Sequence, residues 1–398
     1  MSARILQVFN RYLFSGGEEK SVDRIFNHLA GDHEMSRCFF ESAEWKREDA
    51  PGPAGQVKRL FYNTESRARF DTALDAGGVD VAMFHNIYPV GSPSLYHVAK
   101  RRGVPVIQYL HNFRPFSVGG SLFVNGQICP DSLHGRYGAE VRGGVWQNSI
   151  VKSLLFALML KMLHRSGWLK NVKAWVAISD FMRDRILQAG LVAPGRIHTL
   201  RHSWDAMEKV PRREDAGYYL FLGRLVPEKG LVVLLEAWDR LRAQLGKQTP
   251  QLYIAGEGPQ DSLVRQRMLT NPYVSLVGQI SGETKTDYLR RCRALIAPSV
   301  WWEPLGLVAY EAFDFAKPVL AARSGGLAET VQHGRSGLLH EPGDSDGLAN
   351  DVLTMERMLQ PMRVECGDEG RQWLLREASA EKWKAGFKEI LASVRAGE

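Results

Sequence analysis

Short apolar runs, many of them β-branched, alternate along this chain with longer stretches in which apolar positions recur every three or four residues. That alternation predicts strands separated by helices, and therefore parallel sheets covered on both faces. In the first half the predicted strands are residues 4–9, 79–84, 104–110 and 174–178, several ending in Gly, His, Asn or Ser. Residues 202–217 (HSWDAMEKVPRREDAG) are charged and aperiodic, which predicts a linker. A second alternation follows, with strands at 218–225, 251–255, 274–277, 294–297, 318–321 and 337–339. The pattern is that of two doubly wound domains. Such sheets bind ligands beyond the carboxyl ends of their strands, so the expected site is a cleft between the two.

Composition narrows this little. The chain has 398 residues, 44% of them hydrophobic and 24% charged, an ordinary globular balance. Its four cysteines, Cys38, Cys129, Cys292 and Cys366, form no C-x-x-C pair, which argues against a disulfide framework or cysteine zinc site. The start, MSARILQVFNRYLF, lacks the basic and apolar segments of a secretory leader. The longest uncharged apolar stretch, between Lys152 and Lys161, is far short of the roughly 20 residues of a membrane span. A cytoplasmic protein is expected. Charge changes the picture more. Residues 1–200 carry 25 Lys+Arg against 17 Asp+Glu, and the remainder 26 against 27, so the whole excess of +7 lies in the first half. That suits an anionic partner such as a phosphorylated substrate, an anionic membrane or nucleic acid. No nucleic-acid-binding motif accompanies it.

The stretch 297–313 (APSVWWEPLGLVAYEAF) carries the most chemistry. A strand ends near Ala297, and a helix is predicted to start at Pro304, where a missing N–H costs nothing. Glu303 would stand just before it. The amides of Leu305, Gly306 and Leu307 would point out of the helix as an anion site. Glu311 follows Glu303 by eight residues, about 12 Å along a helix and some 80° around it. Two carboxylates flanking an anion site suit an elongated sugar–diphosphate–nucleoside. In LFLGRLVPEKG (220–230), Arg224 and Lys229 at a strand end would neutralise the diphosphate as charge builds on it. In SGGEEKS (15–21), Gly16 and Gly17 offer a tight turn with amides at a helix start; the spacing is not G-x-G-x-x-G. His111 ends the strand of VIQYLHNF (106–113). IAGEGPQ (254–260) and LVGQIS (276–281) are strand-end loops, the second able to stack a base near Ile280.

Taken in order, the glycine loop, His111, AISDFMRD (177–184), GRLVPEKG, GEGP, the Glu303/Glu311 stretch and SGGLAETVQHGRSGLLHEPGD (324–344) resemble retaining glycosyltransferases of family 4. The resemblance implies a GT-B fold: two Rossmann-like domains facing across a cleft. Residues 1–202 would form an acceptor-side domain completed by a terminal helix at 380–398, and 203–379 a nucleotide-sugar domain. It implies sugar transfer from a nucleotide diphosphate with retention and without metal or cofactor. Arg224 and Lys229 would hold the diphosphate, Glu303 the sugar hydroxyls, the amides of Leu305–Leu307 sugar and phosphate, and Glu311 the ribose. Gly17 would approach the phosphate, and His111 would lie over the donor sugar beside the acceptor. Residues 111–133 resemble a subgroup from bacterial capsule, exopolysaccharide and lipopolysaccharide clusters. That implies a glycan or lipid-diphosphate acceptor and peripheral contact with the inner face of the membrane. Two departures stand out: Cys129 is followed by Ser132 where the subgroup has a second cysteine, and RHSWD (201–205) replaces an Asn-Gly-Val-Asp-like turn. Within the segment 149–168, Lys152 and Lys161 lie about 180° apart on a helical wheel, which predicts no clean basic face. A nucleotide-sugar epimerase of the same fold, and a partner subunit without catalysis, remain as alternatives; the epimerase would need acid/base residues that are not evident in the first domain's strand-end loops.

Overall fold

A computed structural model describes residues 2–13, 16–210 and 214–396. Its chain divides into two compact units. One comprises the described residues up to Ser203 together with the helix Ala380–Ala396; the other is Trp204–Ser379.

The first unit is built on strands β1 (Arg4–Arg11), β2 (Glu34–Glu41), β3 (Val81–Phe84) and β4 (Val106–Leu110). A small hairpin, β5 (Phe123–Val124) and β6 (Gln127–Ile128), precedes β7 (Val172–Ala177) and β8 (Ile197–Thr199). All but the hairpin form one parallel sheet in the order β2-β1-β3-β4-β7-β8. Order reverses between β1 and β3, so the loops after those strands and after β4 open at a topological switch point. The central strands are buried along their length, which is why they read as continuous apolar runs.

The second unit contains β9 (Tyr218–Leu222), β10 (Gln251–Ala255), β11 (Val274–Gly278), β12 (Ala294–Ala297), β13 (Val319–Ala322) and β14 (Gly337–His340). They form a parallel sheet ordered β11-β10-β9-β12-β13-β14. This is the Rossmann order, with the switch between β9 and β12. Trp238, Leu234 and Leu241 pack beneath the sheet, and the Trp238 indole donates to the Pro250 carbonyl at 2.9 Å.

Three expectations need correcting. First, β2, β8 and the hairpin were not anticipated. β2 is an edge strand whose polar residues face outward, with Arg37 lying over the Phe26 ring, so it lacks an apolar run. Second, the segment 202–217 is not a solvated linker throughout. His202 and Ser203 are buried in the first unit, while Trp204 and Met207 bind the Asp314 carboxylate of the second, itself paired with Arg371 at 2.9 Å. Residues 211–213 lie outside the described residues. Third, the helix of the 297–313 stretch runs Leu307–Asp314 and starts three residues later than expected. Gly306 sits in the left-handed region (φ 83°), which ends any helical path from Pro304.

The helix Ala380–Ala396 belongs to the first unit through Trp383, which is 2% exposed, stacks on Phe387 and donates to the Tyr109 hydroxyl at 3.2 Å. Trp383→Ala should lower the stability of the first unit by about 3–5 kcal/mol, the usual result of emptying a buried tryptophan site. Urea unfolding followed on tryptophans of the two units separately checks this; a loss confined to the second unit contradicts it.

Candidate functional site

In the second unit, the loops after β9 and β12 carry the expected residues. The strand-end loop of β9 is clamped by the 254–260 loop: the amides of Gly223 and Leu225 donate to the carbonyls of Ala255 and Glu257. Arg224 leaves this turn largely exposed, with Glu228 Oε1 at 3.8 Å. The short turn Pro227–Lys229 then ends at Gly230 (φ 74°). A Cβ there would lie 1.9 Å from the Pro298 carbonyl oxygen, so only glycine lets the two loops touch. Their contact is a hydrogen bond from Val300 N to Glu228 O at 3.0 Å, and it delivers Lys229 to Glu303.

Glu303 is 7% exposed. Its Oε2 accepts from Lys229 Nζ at 2.7 Å, the Trp301 indole at 2.9 Å and Ser299 Oγ at 3.0 Å. Lys229 also lies over the Trp301 ring, 5.4 Å from its centroid. Burial alone would raise this carboxyl's pKa. The Lys229 charge and the three donors outweigh burial and hold it below its ordinary value, so Glu303 is ionised. All three donors converge on Oε2, and among the described residues none reaches Oε1. The backbone of the loop is held from behind: Gly326 N donates to Glu303 O at 2.7 Å, Ser324 Oγ to Trp301 O, and Thr330 Oγ1 to Leu305 O at 3.4 Å. This accounts for the SGGLAET segment. Among the described residues, nothing accepts from the amides of Leu305, Gly306 or Leu307. They form a short row of donors beside an acceptor oxygen.

Glu311 lies inside the helix Leu307–Asp314 and pairs with Lys285 of the helix Gly282–Arg291 at 2.8 Å. The half-buried Ile280 lies in the loop that leads into the Lys285 helix. Since Glu303 precedes Gly306 rather than continuing the helix, the 12 Å and 80° relation between the two acids does not apply. Lys285, Ser299 and Trp301 had no signal in the sequence; only loop closure reveals them. The one Asp-x-Asp triplet, Asp344-Ser345-Asp346, is occupied structurally: Asp344 caps the helix Ser345–Arg357 and Asp346 pairs with Arg240 at 2.5 Å. Among the described residues no three His, Cys, Asp or Glu side chains gather as a metal site.

In the first unit, Gly16 and Gly17 are exposed at the start of the helix Gly17–Leu29, and Ser15 lies outside the described residues. Behind them sits a cluster that sequence reading missed. Tyr12 OH donates to Glu18 Oε2 at 2.7 Å, Asn112 Nδ2 donates to the same oxygen at 3.3 Å, and Asn86 Nδ2 donates to Tyr12 OH. Glu18 as a residue is half-buried, but its Oε1 is sealed off without a partner. Burial pushes this carboxyl up to about 7, against the lowering effects of Tyr12 and Arg114. It stands in the first turn of the helix that follows β1, a position the sequence reading did not single out. His111 follows β4 as expected, but both ring nitrogens are engaged, Nε2 with His85 at 2.8 Å and Nδ1 with His202 at 3.2 Å. Burial pushes its pKa down to about 3, so it is neutral.

Residues 202–373 match the family model described as glycosyl transferases group 1. An uncharacterized glycosyltransferase of Methanocaldococcus jannaschii is 28% identical over 178 residues, 44% of this chain and 48% of that protein. D-inositol 3-phosphate glycosyltransferase 2 of Catenulispora acidiphila is 34% identical over 193 residues, 42% of this chain and 45% of that protein. The chain thus spans about half the length of the curated relatives it matches. Over its whole length the fold resembles the Anabaena HepE protein in complex with UDP, with TM-score 0.67 and 16% identity over 99% of this chain and 100% of that one. The fold is that of GT-B proteins, with two Rossmann-like units.

Glu18 also makes stability depend on pH. The folded carboxyl keeps its proton up to about 7, whereas the unfolded one releases it near 4.5. The native state therefore holds more protons in between, and the group's contribution to stability falls as pH rises through that window. Glu18→Gln should melt progressively higher relative to the parent between about pH 5 and pH 8, on the order of 3 °C or more. A difference in melting temperature that is flat across this range contradicts the assignment.

Proposed function

We propose that this protein is a retaining, metal-independent glycosyltransferase that moves a sugar from a nucleoside diphosphate to a hydroxyl of a glycan or lipid-linked acceptor. The observation that carries the reading is the arrangement at the switch between β9 and β12. There an ionised carboxylate with one oxygen left to accept, Glu303, stands beside the open amides of residues 305–307 and the cation Lys229. Glu303 Oε1 suits the donor sugar's hydroxyls, the amides suit sugar and phosphate, and Arg224 suits the diphosphate. Glu311, held by Lys285 beside the Ile280 loop, suits the ribose, with the base against Ile280. Lys229 acts on the diphosphate while bound to Glu303, so it contributes a shared charge rather than a free one. Fixed donors and cations of this kind stabilise charge developing on the leaving diphosphate, and the leaving phosphate itself assists the incoming hydroxyl on the same face. Residues 204–379 would hold the donor. The first unit would hold the acceptor, with Gly16 and Gly17 as phosphate contacts and His111 over the donor sugar beside the acceptor.

The acceptor's source is read as bacterial surface polysaccharide synthesis on a membrane. No helix among the described residues is long and apolar enough to cross a membrane. The helix Ile150–Arg165, however, buries Phe156, Met159, Leu160 and Leu163 while exposing Ile150, Val151, Leu154 and Leu158. One line of that exposed face ends in Lys161 and Arg165, a turn apart, neither paired among the described residues. Both line a cavity of about 450 Å³ with Phe116 and Tyr137. An apolar stripe finished by two cations suits an anionic lipid surface. Leu154→Asp with Leu158→Asp should abolish co-sedimentation with vesicles containing anionic lipid; unchanged sedimentation rejects the membrane reading.

Glu18 also favours a second reading, a nucleotide-sugar epimerase, which needs a group able to move a proton. Release of nucleoside diphosphate only when acceptor is present, undiminished by chelator, supports transfer; sugar isomerisation without acceptor supports the epimerase. The donor's direction has its own test. In calorimetry with the bare nucleoside diphosphate, Glu311→Ala should lose roughly 1–3 kcal/mol of affinity and Glu303→Ala little, while Glu303→Ala loses transfer. The opposite pattern reverses the donor along the site.

A further inference from the structure

From the middle of β1 past the carboxyl ends of β3 and β4 runs a line of side chains, all buried but the half-buried His111. The Gln7 carboxamide nitrogen lies 2.9 Å from the Val22 carbonyl oxygen and 3.1 Å from His85 Nε2. His85 Nδ1 is 2.8 Å from His111 Nε2, and His111 Nδ1 is 3.2 Å from His202 Nε2. Gln7, His85 and His202 are at most 3% exposed. The rings of Tyr109, His111 and His202 stack at 5.0–5.7 Å.

The direction of this line follows from its first member. A peptide carbonyl can only accept, so the group facing Val22 is the Gln7 NH2. Its second hydrogen points at His85 Nε2, which therefore carries a lone pair. The His85 proton is then on Nδ1 and is donated to His111 Nε2. The His111 proton is on Nδ1 in turn and is donated to His202 Nε2. Adding a proton to any ring would set two N–H groups against each other. Burial disfavours the charged form of all three rings as well, and each is held below the ordinary histidine value. Among the described residues, no anionic group is among the causes that shift these three rings. Tyr109 keeps its proton because it is buried, His28 meets Ser203 Oγ, and Arg24, which donates to Ser203 O, lowers His202 further.

We propose that Gln7 and His85 are positioning residues that fix the proton of His111 on Nδ1 and keep its ring uncharged. His111 then meets a substrate oxygen as an N–H donor, in competition with His202, and not as a base. The ring assignment stands on the geometry alone; the substrate contact rests on the glycosyltransferase reading. His202 occupies the turn where this sequence departs from the Asn-Gly-Val-Asp-like pattern, so the terminal acceptor of the line is a feature of this chain.

Nitrogen NMR of the intact protein labelled with 15N-histidine tests the assignment. His85, His111 and His202 should show protonated Nδ1 and bare Nε2, unchanged from about pH 8 to pH 5, below the usual histidine midpoint. Protonated Nε2 at His111, or titration within that range, overturns the proposal. Gln7→Glu places an acceptor opposite His85 and should reverse the polarity of all three rings. It should lower kcat about tenfold or more with donor KM within about twofold, the pattern of a contact that acts in the transition state. Reversed rings with unchanged kcat overturn the role in transfer. If Gln7→Glu does not fold, the parent spectrum alone decides the ring assignment. A parent protein with the expected spectrum but no transfer to any acceptor keeps the ring assignment and rejects the glycosyltransferase reading.

Discussion

One ionised carboxylate in a nearly closed position organises the second unit. Glu303 cannot stay charged at 7% exposure without compensation, and three donors, one of them the Lys229 cation, supply it. That requirement reaches back along the chain. Lys229 must arrive from the β9 loop, so Gly230 must allow that loop to touch Pro298. The Glu303 backbone must stay where its carboxylate is useful, so the 324–330 segment bonds to the carbonyls of Trp301, Glu303 and Leu305. Motifs that lie a hundred residues apart in sequence are thus parts of one electrostatic arrangement.

The first unit solves the opposite problem. Past its strand ends, burial works against charge: His85, His111 and His202 are held below their usual range, and Glu18, in the first turn of the helix after β1, above its own. A charged, cation-supported surface suits a group that gains negative charge. A surface of neutral donors suits hydroxyls that must be aligned without being ionised early.

The central strands were legible because a parallel strand covered on both faces has no polar alternation to disguise it; 251–255 and 294–297 coincide with β10 and β12. Edge strand β2 was not, since its outward residues carry charge. The helix after Glu303 was misplaced because Pro304 is a good first helical residue, while the left-handed conformation of Gly306 is visible only once Leu327 packs against it. Arg224, Lys229, Glu303 and Glu311 stand out as charged residues at strand ends or helix starts. Ser299, Trp301 and Lys285 do not, because what they do depends on which side chain faces them after the loops close. Gln7 and His85 were hidden for a simpler reason: one lies within a strand and the other directly after one, where an isolated polar residue carries no periodic signal.

The first unit is discontinuous in sequence, and this has a consequence for synthesis. The helix that fills the Trp383 site leaves the ribosome after all of Trp204–Ser379. Until then Tyr109, which stacks on His111 and His202, lacks the indole that braces its hydroxyl. The nascent first unit therefore waits with an open seam while the second unit, continuous in sequence, can already be complete. A chain that stops or is cut close after Ser379 therefore has a whole inserted unit and an incomplete earlier-made one.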